Sequence, residues 1–175
     1  MDAARVQSGS TATGRGGSMR DDTDHRPWEE GSSRTRVLLE CAASSSPSII
    51  ARVVERHGFD VRTCEGPGDR GGCDLIDHGA CSLVSGADVV VNMLAAGDRA
   101  SSDVLDAVLG ERRPPATVVE LTPARRAEVE RDDVIGPRRV TVIETPVSGI
   151  DLVAGIHTAI ERRERSVPWW GDGYS

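Results

Sequence analysis

The chain has 175 residues, enough for one core of ordinary size, and its 21 basic side chains are all arginine, which excludes lysine chemistry such as a Schiff base or a phosphate-gripping ammonium. A formal charge of -7 offers a polyanion no general attraction and argues against nucleic acid as a partner, although local arginine clusters could still hold an anion. No apolar run approaches the roughly 20 residues needed to cross a bilayer and no leader-like segment opens the chain, so a cytoplasmic protein without a membrane partner is expected.

Residues 1–34 are rich in Gly, Ser, Thr, Arg and Asp and carry too little apolar surface to offset the entropy of ordering them, so they read as a disordered tail. Trp28, beside Pro27, could dock on the domain or on a partner. The domain is expected over 35–165. It starts with Arg36 to Glu40, "RVLLE", an apolar run of strand length. A helix follows, with Ser46 as N-cap, Pro47 in its first turn, Ile49, Ile50, Val53 and Val54 on one face, and Gly58 closing it. His57, in its last turn, suits capping or packing better than ligation.

Asp60 to Cys64 alternates as a half-buried strand does. The Gly/Pro loop "EGPGDRGG" and the stretch "CDLIDHGACSLVSG" come next, and their glycines leave room for a short helix at most. Residues 87–94, "ADVVVNML", read as a fully buried strand, the most apolar segment of the chain. Ser102 is expected to cap a helix over 103–109 that turns Val104, Leu105 and Val108 inward. Ala116 to Leu121 is a fourth strand, Thr122 and Pro123 start another helix with Arg125, Arg126 and Glu128 on its polar face, and Val140 to Glu144 is the fifth strand. A last helix over 150–165 aligns Ile150, Val153, Ile156, His157 and Ile160 and collects Arg162, Arg163 and Arg165 at its end, where cations suit the dipole. The tail, 166–175, carries Trp169, Trp170 and Tyr174, either as a strip that folds back or as a short motif for a partner. Phe59 is the only aromatic residue between Arg36 and Arg165, so the core must be aliphatic.

Strands alternating with helices call for an α/β fold: a flavodoxin-like, doubly wound, five-stranded parallel sheet in three layers, with any ligand at the carboxyl ends of the strands. From Arg36 to Arg165 the chain resembles the receiver domain of bacterial response regulators, most closely in "VTVIETPVSGIDLVAGIHTAIERR". In that family an acidic pair after the first strand holds magnesium; Glu40 and Cys41 fall there. The phosphoacceptor position falls on Met93, or on Asn92 if the register slips by one. Thr122 matches the hydroxyl residue after the fourth strand, Thr145 replaces the family's lysine, and Pro146 keeps its cis-proline. The resemblance therefore implies a degenerate receiver, a non-catalytic signalling or protein-interaction module independent of Asp phosphorylation, with no cofactor. It also implies a protein partner or homodimer through the fourth helix, fifth strand and fifth helix, where Arg125, Arg126, Glu161 and Arg162 lie.

The unusual feature is the loop with Cys64, Cys73 and Cys81, and His78 three positions before the last of these. Thiolates and imidazole suit zinc or an iron–sulfur cluster, with His78 or Cys41 as a fourth ligand, but no CxxC pair is present. A redox-active thiol pair and incidental cysteines are the other readings. A small-ligand or nucleotide-binding protein using the strand ends near Glu40, Asn92 and Thr122 is a further alternative. GxSxG, HExxH, GxGxxG and Walker motifs are all missing, and nothing nominates a nucleophile with its base.

Overall fold

Runs such as Val-Leu-Leu and Val-Val-Val have no polar face to turn to water, so they form strands only where both faces of a sheet are covered. The computed structural model describes residues 28–67, 72–94, 99–132 and 140–166 and places these runs in that setting. Five parallel strands, β1 (Arg36–Glu40), β2 (Asp60–Cys64), β3 (Val89–Asn92), β4 (Ala116–Leu121) and β5 (Val140–Glu144), form one sheet in the order β2-β1-β3-β4-β5. Helices α1 (Pro47–Glu55), α2 (Asp74–His78), α3 (Ser82–Ser85), α4 (Arg99–Gly110), α5 (Pro123–Asp132) and α6 (Gly149–Ser166) connect them, with a short 3-10 turn at Ala43–Ser45.

Alternation along the central strands sorts side chains to two faces. Val37, Leu39, Val89 and Val91 pack with Val54, Leu152 and Ile156 from α1 and α6. Leu38 and Val90 meet Leu75, Leu83 and Val84 from α2 and α3, together with Val104 and Val108 from α4. Each such fully buried aliphatic side chain stabilises the fold by about 1.5–3 kcal/mol. The core is aliphatic as expected, with Phe59 at its edge against the His157 ring at 5.4 Å.

Several elements differ from their sequence expectation. The β3 ladder is confined to Val89–Asn92, and Asp88 just before it still bonds to both neighbouring strands, accepting Ala116 N–H and donating to Arg36 O. The loop before it holds two short helices, split by Gly79 at φ 69°. Helix α4 begins at Arg99, so Ser102 lies inside it. Ser46 sits in the left-handed region and makes no side-chain cap. Ile49 is 65% and Ile150 78% exposed, so the apolar stripes of α1 and α6 run past the part of each helix that the core covers. His157 is exposed beside its apolar neighbours.

Trp28 docks on the domain. Its indole Nε1–H donates to Leu83 O at 2.9 Å, and its ring lies 5.5 Å from the Arg62 guanidinium, a cation–π arrangement. Gly86 leaves the space the indole occupies. Residues 1–27 and the Trp169–Trp170 tail lie outside the described residues.

Candidate functional site

The carboxyl ends of β1 and β3 meet at the centre of the sheet, where Glu40 and Asn92 are register partners. Even-numbered positions on these strands face α2, α3 and α4, so both side chains point into the same layer. Each is 2% exposed, and Asn92 Nδ2–H donates to Glu40 Oε2 at 2.9 Å. Burial pushes the Glu40 carboxyl up to about 7, while the Asn92 hydrogen bond pulls it the other way. Asn92 thus meets Glu40, not Met93. Cys41 and Met93 turn to the opposite face, Cys41 within the core of α1 and α6 and Met93 packed against it.

The other positions singled out from sequence serve the backbone. Thr122 Oγ1 accepts Arg125 N–H at 3.2 Å and caps α5 as expected. Thr145 N–H donates to Leu121 O at 3.0 Å, and the Thr145–Pro146 peptide is cis. Arg126 reaches Glu144 at 2.6 Å, an ion pair at the end of β5.

Magnesium binds through one or two ionised carboxylates and keeps several waters in an octahedral shell. Among the described residues one carboxylate is present at these two strand ends, it is buried and hydrogen-bonded to an amide, and the sulfur-bearing neighbours Cys41 and Met93 are soft donors on the far side. That donor set does not fit magnesium.

The loop cysteines gather without forming a ligand set. Cys64, Cys73 and Cys81 all pack against the core of α2, α3 and α4. Burial pushes the Cys64 thiol up to about 12, Glu40, Cys81 and Cys73 add to that, and the Gly66 N–H donated to its sulfur at 3.4 Å opposes it. His78 is exposed and faces Asp74 at 3.6 Å, and Cys41 belongs to the other face of the sheet. Among the described residues no three His, Cys, Asp or Glu side chains are arranged to hold a metal ion. The four cysteines are free thiols.

Sequence reasoning did not pair Asn92 with Glu40 or Trp28 with Leu83. The signal for the first was a lone acid ending one apolar strand and a lone amide ending another. Nothing local signalled the second.

No protein-family model matches the chain, and no curated protein matches it. Solved structures do. A signal receiver domain from Vibrio parahaemolyticus is similar with a TM-score of 0.57 and 18% identity, covering 79% of this chain and 98% of that one. A response regulator receiver domain from Clostridium thermocellum gives 0.54 and 17%, covering 75% and 98%. A CheY-like receiver domain from Methanospirillum hungatei gives 0.54 and 13%, covering 76% and 98%. The fold is therefore that of a receiver domain, as the sequence resemblance implies. None of the helices in the described residues is long and apolar enough to cross a membrane.

Proposed function

We propose that this chain is a receiver-fold signalling module that acts by binding a protein partner and takes no phosphoryl group on an aspartate. The buried Glu40–Asn92 pair carries this reading. Phosphoryl transfer to a carboxylate needs that group ionised and open to a donor, a divalent cation held by further carboxylates, and a cation to steady the product. At the strand ends an amide occupies the position facing the acid, and Thr145 stands where the resemblance places a lysine. The partner surface is α5, β5 and α6, which carries Arg125, Arg126, Glu161 and Arg162. Most of these charges are engaged within the chain, Arg126 with Glu144 and Arg162 with Val140 O, so the face is pre-ordered for a homodimer or another protein.

Incubation with acetyl phosphate and magnesium, followed by intact mass, tests the reading. No labile phosphoryl adduct is expected; a stable one mapping to Asp88 or Glu40 overturns it. Sedimentation at working concentration tests the homodimer, which a monomeric species would rule out.

A second reading, a thiol-responsive sensor on the same scaffold, is favoured by the convergence of Cys64, Cys73 and Cys81 on one core. Metal analysis with thiol counting separates the two. Stoichiometric zinc or iron lost on Cys73→Ser would replace the first reading with this one, and four free thiols without metal after peroxide treatment would retire it.

A further inference from the structure

A concave surface opens at the amino end of the sheet, the opposite end from Glu40 and Asn92. The segment leading into β1, the start of β3 and the last turns of α6 enclose a cleft of about 620 Å³. Arg34, Arg36 and Arg163 line it together with Ser33 and Thr35. Four described arginines outside the cleft reach carboxylates: Arg62 pairs with Asp60, Arg125 with Glu128, Arg126 with Glu144 and Arg165 with Glu161. The three cleft arginines do not do so among the described residues. Arg36 Nη2 donates to Glu29 O and Arg163 Nη1 to Asp88 O, both backbone oxygens at 2.9 and 3.1 Å. The nearby Asp88 carboxylate instead accepts the Arg36 backbone N–H at 2.9 Å.

Guanidinium forks held in place by backbone carbonyls keep further N–H donors for a ligand, and their planar geometry matches the oxygens of a phosphate. Two acids, Asp88 and Glu164, share the lining, so a monovalent anion gains little there and a multiply charged phosphate gains more. The volume lies within the range of small-molecule sites, and Ile160 and Ala116 give one wall an apolar stretch. We propose that this cleft binds a nucleoside phosphate, with the phosphates on Arg34, Arg36 and Arg163 and the nucleoside toward Ile160. The site stands apart from the strand ends and is independent of the signalling reading.

Thermal shift and calorimetric titration of the full chain with ADP, AMP, adenosine and inorganic phosphate, at low and at high salt, test the proposal. ADP and AMP are expected to bind, ADP more tightly, adenosine not at all, and the binding is expected to weaken with salt. Arg36→Gln and Arg163→Gln should each cost about tenfold in affinity. Arg34, whose side chain makes no hydrogen bond among the described residues, supplies a variant with no folding role: Arg34→Gln should also weaken ADP while leaving the unliganded melting temperature unchanged. Arg52→Gln, on the exposed side of α1, should change nothing. Failure of both nucleotides to bind overturns the proposal, as does binding unchanged by the three cleft variants. Inorganic phosphate equalling ADP at the same concentration overturns the nucleoside assignment.

Discussion

Replacing Glu40 with glutamine removes the one charged side chain buried among the described residues while keeping its shape and an acceptor for Asn92 Nδ2. The folded-state carboxyl titrates near 7 against an ordinary 4.5. Because the pKa is raised on folding, the stabilisation is fully present below the ordinary value and is lost as pH rises through the folded value. A shift of that size corresponds to about 3 kcal/mol, most of it given up between about pH 5 and about pH 8. For a domain of this length that is roughly 10 °C in melting temperature. Glu120 shifts in the same direction through burial but is half-exposed, so it adds little. Thermal unfolding by circular dichroism across this pH range, for wild type and Glu40→Gln, reads the effect. Wild type should lose stability toward alkaline pH, and Glu40→Gln should show a profile flatter by about that amount, overtaking wild type at the alkaline end. Parallel profiles for the two proteins would refute a buried, proton-bearing Glu40.

Asn92→Ala takes away the donor that faces Glu40 and leaves a buried carboxyl oxygen without it, so chemical denaturation should show a loss of about 1–3 kcal/mol, larger at alkaline pH. Thiol labelling followed by mass mapping should modify Cys73 and Cys81 first, with Cys64 slow because its thiol is pushed up to about 12 and Cys41 reached only on unfolding. Gly155→Ala should destabilise by about 1–3 kcal/mol, since an added methyl would lie 2.8 Å from Ile143 Cγ2 where α6 crosses β5. Thr141→Val, which replaces a buried hydroxyl with no hydrogen-bond partner among the described residues, should be neutral or slightly stabilising in the same assay.

Four of the five strands fall where the sequence places them, because each is a short apolar run bounded by Gly, Pro or polar residues, and a sheet with both faces covered admits little else. The starts of helices were harder to read. Ser102 has the chemistry of a cap yet lies inside α4, and Ile49 and Ile150 continue an apolar stripe past the point where the sheet can cover it. Whether a stripe is used to its end depends on what packs over it, which is a property of the assembled layers and not of the helix's own sequence. The site was half legible. Glu40 and Asn92 each stood out as a polar residue ending an apolar strand, but their hydrogen bond spans 52 positions and exists only once β1 and β3 are adjacent. The cysteine loop showed its ligand-like residue types, whereas the direction of each side chain, which sends His78 to solvent and Cys41 to the other face, is a property of the packed sheet.

The claim that the strand ends form a closed acid–amide pair, with no place for a cation or a phosphoryl group, is tested most directly by backbone amide spectra recorded with magnesium and then with magnesium and acetyl phosphate. The resonances of Glu40, Asn92, Thr122 and Thr145 should stay where they are in both additions. Saturable shifts at Glu40 and Asn92 with magnesium, followed by a new set of resonances with the phosphodonor, would contradict it.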